Sequence, residues 1–302
     1  MIEREKIIKL CQTKAKNLNS LLYNKLKEYG YAPINTKDYI IAEGNLPICL
    51  VAHLDTVFPY APQEFFFDPS ARVLWSPDGA GFDDRVGVYI ILDMLAAGHR
   101  PSIVFTTGEE IGGIGARKLV SDYKECPFKE CRAIIELDRA WENDSVFYQC
   151  DNKDFEKYIN KYGFVTSIGT FTDISIIAPE WGIAAVNLSV GYLEEHTHQE
   201  RLYFEWTNAT IEKLKEILTD SPSMLSYAYI PMKYTPYRRG QRKNTSILDD
   251  YFAGPVEEDE FDDYNNCLFC GRAFGKDVHR NIINYPNYSY AVCDDCKGEY
   301  LS

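Results

Sequence analysis

The sequence predicts an α/β fold: a mixed, mainly parallel sheet with helices on both faces, plus a small zinc-stabilised module at the C-terminal end. Three observations carry this expectation. Short runs such as residues 47–52 and 133–137 are apolar nearly throughout, as strands buried on both faces are. Between them lie longer stretches whose apolar residues recur with helical spacing, and that alternation is the pattern of a layered α/β sheet. Finally, two Cys-x-x-Cys knuckles, Cys267/Cys270 and Cys293/Cys296, stand at a spacing that wraps one tetrahedral zinc.

Taken in order, Ile7, Ile8, Leu10, Leu18, Leu21 and Leu22 mark an amphipathic helix that runs to about Tyr29 and stops at Gly30. Strands are expected at 39–42 and 47–52, and a hairpin-like segment at 72–75 leads to Pro77-Asp-Gly79. Helical periodicity covers 86–97, followed by a strand at 102–106, a helix at 115–123 and a strand at 133–137. A short β run at 146–149, helices at 155–162 and 172–181, a strand at 184–190 and a long helix at 205–218 complete the pattern. After about Asp220 the composition changes to a basic, Tyr-rich stretch and then an acidic one, which reads as a connector. The expected units are therefore 1–220, a linker at 221–265 and a module at 266–302.

Composition narrows the function. A chain of 302 residues with 45% apolar and 14% aromatic content is long enough for one large core and an appendage. A net charge of −13 argues against nucleic-acid binding, which needs a basic surface. No run of 18 apolar residues and no signal-like N-terminus are present, so a soluble, cytoplasmic protein without a membrane anchor is expected. In that setting Cys11, Cys49, Cys126, Cys131 and Cys150 read as reduced core thiols.

Five segments each offer a divalent-metal ligand: Val51-Ala-His53-Leu-Asp55, Gly81-Phe-Asp83-Asp84-Arg85-Val-Gly87, Thr107-Gly-Glu109-Glu110, Ile134-Ile-Glu-Leu-Asp138 and His196-Thr-His-Gln-Glu200. Most of them follow expected strand ends, where open α/β sheets place their sites. His53 and Asp55 project to one side of a strand, which lets the carboxylate orient the imidazole. Asp84 also suits the N-cap of the helix that follows. Asp138 closes an apolar run, where an unpartnered acid is costly to bury. Thr172-Asp173 has two readings, a helix N-cap and a substrate contact.

In their order these segments resemble the co-catalytic di-zinc exopeptidase superfamily, which includes compact aminopeptidases, tetrahedral aminopeptidases, peptidase T and carboxypeptidase G-like enzymes. The matching motifs are His53-x-Asp55, Asp83-Asp84-Arg85-x-Gly87, Glu109-Glu110-x-Gly and His196-Thr-x-x-Glu200, spanning roughly residues 45–220. The resemblance implies that His53 and Asp138 hold one metal, Glu110 and His196 the other, and Asp83 bridges them. It implies Glu109 as the general base and Asp55 as the carboxylate that orients His53. His198 stays open as an alternative to His196, although the motif favours His196. Thr172 and Asp173 resemble a Thr-Asp dipeptide placed near substrate. Residues 1–220 would then form the catalytic domain. The short spans from Asp55 to Asp83 and from Asp138 to His196 leave no room for the inserted domains of the larger relatives, so the oligomeric state cannot be carried across.

The expected activity is hydrolysis of amide bonds in short peptides, as an aminopeptidase. Alternatives are an N-acyl amino acid deacylase or a carboxypeptidase-type amidohydrolase. From another class comes a non-catalytic scaffold working through its C-terminal module. Two catalytic divalent metals are expected; zinc suits the ligands, and cobalt or manganese would also suit them. Cys267, Cys270, Cys293 and Cys296 would hold one structural zinc in a zinc-ribbon-like unit, whose mixed charge favours a protein partner over nucleic acid.

Overall fold

A computed structural model describes residues 2–232 together with two strands near the C-terminal end, 280–284 and 289–293. The chain divides into two compact units, Met1–Met232 and Lys233–Ser302. In the second unit, β13 (Arg280–Asn284) and β14 (Ser289–Cys293) form an antiparallel pair. The expected zinc site at Cys267, Cys270, Cys293 and Cys296, and most of the 221–265 connector, lie outside the described residues or side chains.

In the first unit, helices α1 (Arg4–Cys11) and α2 (Ala15–Glu28) stand where the sequence predicts one continuous helix. The Thr13 hydroxyl donates to the Lys9 carbonyl at 2.6 Å, taking up a helix-end acceptor where the chain bends. Helix α2 stops at Gly30 as expected. Gly30 is left-handed at φ +87°, and the N–H groups of Tyr31 and Gly30 return to the carbonyls of Leu26 and Lys27. That pair of bonds is the Schellman arrangement, which glycine adopts without strain.

The strands β1 (Ile34–Asn35), β2 (Tyr39–Ala42), β3 (Leu46–His53), β6 (Pro101–Thr106), β7 (Ala133–Arg139), β8 (Asp144–Val146), β9 (Val165–Thr166) and β10 (Ala185–Ser189) build one eight-stranded sheet in the order β1-β2-β6-β3-β7-β10-β8-β9. Its centre, β6-β3-β7-β10, is parallel, while β1, β2 and β8 join antiparallel. The sheet is thus mixed and mainly parallel, with helices on both faces.

Strand β3 shows why its residues read as an unbroken apolar run. Ile48, Leu50 and Ala52 point into a core shared with α1, α2, α3 (Phe82–Ala96), α5 (Lys153–Asn160) and α7 (Phe204–Asp220). The alternate residues Cys49 and Val51 point into a second core under α4 (Ile114–Asp122) and α6 (Ile174–Trp181). The two-residue period of a strand sends successive side chains to opposite faces, so both sets must be apolar.

A second, four-stranded antiparallel sheet runs in the order β11-β12-β5-β4, using β4 (Phe66–Asp68), β5 (Val73–Trp75), β11 (Tyr192–Leu193) and β12 (Arg201–Tyr203). The β4–β5 hairpin accounts for the segment expected at 72–75; the pairing of β12 with β5 is a long-range contact that no local pattern announces. The β run expected at 146–149 is displaced, because the strand ends at Val146 and Tyr148 and Gln149 turn at positive φ. Beyond Asp220 the chain stays on this unit: Met224 and Tyr227 are buried, and Ala228 and Pro231 bridge to Ile183 and Cys150. Among the described residues no helix is long and apolar enough to cross a membrane.

Candidate metal centre

The parallel strands β3 and β7 end side by side and deliver His53 and Asp138. The turn after β6 brings Glu109 and Glu110, the segment entering α3 brings Asp83 and Asp84, and the loop between β11 and β12 brings His196. His53, Glu109, Glu110 and Asp138 thus stand at the carboxyl ends of the parallel strands, the usual place for a site in such a sheet, while Asp83 and His196 come from segments flanking the second sheet.

Asp83 lies at the centre. Its Oδ1 is 2.9 Å from His53 Nε2 and its Oδ2 is 3.0 Å from His196 Nε2. Asp138 Oδ1 stands 3.4 Å from the same nitrogen of His53, and Glu110 Oε2 stands 3.0 Å from that of His196. Two three-residue groups result, His53–Asp83–Asp138 and Asp83–Glu110–His196, each with ligand atoms within 4.8 Å of one another. Asp83 is common to both. His196 turns inward, whereas His198 packs its ring against Phe58 with centroids 5.6 Å apart. Aiming His196 requires backbone strain, since both Glu194 and His196 adopt positive φ.

The ligands are held by a surrounding shell. Asp84 accepts from the backbone N–H of His53 at 3.1 Å and of Gly87 at 3.0 Å, so it caps α3 while tying that helix to the end of β3. Gly87 is obligatory there: an added Cβ would run into the Leu137 carbonyl and the Asp84 carboxylate. Asp55 has a wider role than expected. Its Oδ1 stands a long 3.5 Å from His53 Nδ1, and its oxygens accept from the N–H groups of Gly108 (2.7 Å), Glu109 (3.3 Å) and Glu110 (3.3 Å). It thereby fixes the turn that carries both glutamates.

Thr172 and Asp173 are both buried. The Thr172 hydroxyl donates to Asp138 Oδ2 at 3.0 Å, and Asp173 accepts from the Thr106 hydroxyl. The Asp173 side chain makes no capping bond to α6, so the N-cap reading of this residue fails; its carboxylate turns inward to β6. Three further residues received no role from the sequence. Tyr192 donates to Asp138 Oδ1 at 3.2 Å, and Asn187 accepts from the Asp138 N–H at 2.9 Å. Glu200 is fully buried and accepts from the N–H of Gly81 (2.7 Å) and Asp83 (3.0 Å). Glu200 was visible as part of a motif, but nothing in a run of polar residues says which one is buried.

The electrostatics describe a centre built for cations. Burial pushes Glu109 up to about 10, Glu200 up to about 8 and Asp138 up to about 7, and raises Glu110 as well. Burial alone would depress His53, but Asp138, Asp55 and Asp83 hold its imidazole well above the usual range. Hydrogen bonds to Asp83 and Glu110 raise His196 to about 11. Burial opposes ionisation of Asp83, yet His196 and His53 together bring it below the usual carboxylate range. Glu110 Oε1 and Glu136 Oε1 are buried with no hydrogen-bond partner. So many acids gathered out of water would be costly without cations among them. The imidazole and carboxylate donors suit zinc and other divalent metals, so the residues fit the metals that the sequence leads one to expect.

Residues 34–174 match the model of a family described as Peptidase family M28. No curated protein matches the chain. Among solved structures, the chain is similar to the aminopeptidase PepT from Bacillus cereus, with a TM-score of 0.60 and 14% identity over 72% of this chain and 98% of that one. A tripeptidase from Staphylococcus aureus gives a TM-score of 0.59 at 15% identity, covering 72% of this chain and 97% of that one. The TET1 peptidase of Pyrococcus horikoshii, described as assembling into a tetrahedron or an octahedral shell, gives 0.52 at 14%, covering 71% and 98%. These likenesses establish the shared α/β fold, and with the family match they support the co-catalytic exopeptidase resemblance of the sequence.

Proposed function

We propose that the chain is a two-metal metallopeptidase that hydrolyses amide bonds of short peptides as an aminopeptidase. The observation that carries the reading is Asp83, whose two oxygens face two different histidines at 2.9 and 3.0 Å. In this reading His53, Asp83 and Asp138 hold one divalent metal and Asp83, Glu110 and His196 the other. Such a pair, when bound, polarises a scissile carbonyl and lowers the pKa of water. Zinc is the first choice for both positions.

Glu109 is the general base in this account. It is adjacent to Glu110 yet outside both ligand groups, so its carboxylate stays available. Burial raises its proton affinity in the metal-free chain; cations held beside it would bring that affinity down and leave a carboxylate able to take a proton from the attacking water and pass it to the leaving amine. Asp55 keeps Glu109 in place through the backbone of the turn, and Glu200 does the same for Asp83. Thr172 and Tyr192 orient Asp138 by donating to its two oxygens. The aminopeptidase direction is carried across from the named neighbours. Cys267, Cys270, Cys293 and Cys296 are proposed, on their spacing alone, to hold a structural zinc in a module that meets a protein partner.

Glu109→Ala tests the function. Hydrolysis of aminoacyl-peptide substrates should fall by about 10²-fold or more, while metal content stays near wild type. Activity retained in that variant would remove the proton-transfer role.

A further inference from the structure

Of the five cysteines in the first unit, Cys11, Cys49 and Cys150 are buried, while Cys126 and Cys131 are half-buried and open to solvent. The expectation of core thiols does not extend to this pair. Both belong to the connection between α4, which ends at Asp122, and β7, which begins at Ala133. They bracket the segment Cys126-Pro-Phe-Lys-Glu-Cys131, to which the metal centre assigns no task.

The connection is pinned so that the two residues meet. Phe128, between them, is buried, and its ring stands edge-on to Trp181 at 6.1 Å between centroids. Trp181 in turn donates its Nε1–H to the Tyr123 carbonyl at 3.0 Å. Toward β7, the Lys129 N–H donates to the Glu43 carboxylate at 3.0 Å and the Arg132 N–H to the Pro47 carbonyl at 2.9 Å. One carbonyl oxygen serves both cysteines: that of Phe128 accepts from the Cys131 N–H at 3.3 Å and lies 3.8 Å from Cys126 Sγ. Both side chains also pack against the same second core. The turn is therefore closed before any covalent bond forms across it.

The two thiols are not equivalent. A hydrogen bond from the Cys131 thiol holds Cys126 below the usual thiol range, whereas Cys126 and burial push Cys131 well above it. Burial raises Cys11 and Cys49 as well, which leaves those thiols inert. The thiolate is the nucleophile, so Cys126 is the attacking sulfur and Cys131 the resolving one.

We propose that Cys126 and Cys131 are a reversible modification site at which a peroxide converts the pair to a disulfide. The Cys126 thiolate attacks the peroxide: an S–O bond forms, the O–O bond breaks, and the departing hydroxide takes up the proton that Cys126 released. Cys131 then attacks the sulfenic sulfur. The S–S bond forms, the S–O bond breaks, and the second hydroxide leaves as water with the Cys131 proton. Two thiols are oxidised to one disulfide while one hydrogen peroxide is reduced to two waters. A thiol reductant reverses the change. The site does not depend on the peptidase reading.

Trypsin cuts after Lys124, Lys129 and Arg132, so the two cysteines fall on separate peptides, 125–129 and 130–132. The reduced, zinc-loaded full chain is exposed briefly to one equivalent of hydrogen peroxide, alkylated, and digested without reductant for mass spectrometry. The two peptides should appear joined, two hydrogens lighter than their sum, and dithiothreitol should separate them. Cys131→Ser should leave Cys126 as a sulfenic acid that dimedone traps, and Cys126→Ser should leave Cys131 reduced. Before oxidation, Cys126 should react with iodoacetamide at least about tenfold faster than Cys49. Peptides that stay separate and fully alkylated, a bond to Cys49 in place of this pair, or equal alkylation of Cys126 and Cys49 would overturn the proposal.

Discussion

Replacing Asp55 separates its scaffold role from its influence on His53. In the structure its carboxylate accepts one short hydrogen bond, from Gly108 N–H at 2.7 Å, and two long ones of 3.3 Å from Glu109 and Glu110. A hydrogen bond to a charged acceptor contributes about 1.5–3 kcal/mol, and long ones contribute less. Asp55 is partly accessible, so water replaces some of what is lost. Asp55→Ala should therefore destabilise the metal-free protein by about 2 kcal/mol, or about 4–8 °C in Tm for a unit of this size. Asp55→Asn keeps an oxygen for Gly108 and Glu109 and loses only the Glu110 acceptor and the charge. Its cost should be about 1 kcal/mol or less. Thermal unfolding in chelator reads the scaffold role, and hydrolysis at saturating metal reads the placement of Glu109. If Asp55→Ala unfolds in chelator at the wild-type temperature, the carboxylate does not hold the glutamate turn.

Two further outcomes follow from the same geometry. Thr172→Val removes the donor to Asp138 Oδ2 at similar volume and should weaken metal binding by about 10–100-fold, measured by competition with a chromogenic chelator. Without metal, stability should fall as pH rises. Glu109, Glu200, Asp138 and Asp173 have folded-state pKa values raised to about 10, 8, 7 and 6, and both site histidines are raised too. The folded chain then binds more protons than the unfolded one from about pH 4 upward, so Tm in chelator should decline between about pH 5 and pH 8. Asp83 and Asp55 are shifted down and act in the opposite sense only at lower pH. Added zinc needs the ligands deprotonated, so its stabilising effect should grow over the same interval. A chelated protein that gains stability from pH 5 to 8 would contradict this electrostatic picture.

The sequence was most legible where one local pattern decides the outcome. The central strands announce themselves because β3 and β7 bury both faces, so that up to the site their residues are apolar apart from Glu136. Gly30 ended its helix where glycine was expected to. The segments of His53, Glu109, Glu110 and Asp138 converged because neighbouring parallel strands end side by side. What stayed hidden depends on contacts remote in sequence. The strands of the second sheet are two or three residues long, too short for any period, and β12 finds β5 across more than a hundred residues. The break between α1 and α2 contains neither glycine nor proline, so the apolar spacing carried through it. Glu200 is one acid among several in a polar segment, and only the fold reveals that it holds the Asp83 backbone. Thr172 and Asp173 had two readings, a helix cap and a substrate contact; the cap is the usual role of such a pair before a helix, but burial against Asp138 and Thr106 gave them another.

The central claim is that Asp83 joins two metal positions into one centre. It is tested most directly by zinc analysis of the full chain and of Asp83→Ala after equilibration with zinc and mild chelation. Two labile zincs should be present in the wild type, beside one chelation-resistant zinc assigned to the four cysteines, and Asp83→Ala should lose both labile ions together. A single labile zinc in the wild type, or one labile ion retained at full affinity in Asp83→Ala, would contradict the shared-ligand centre.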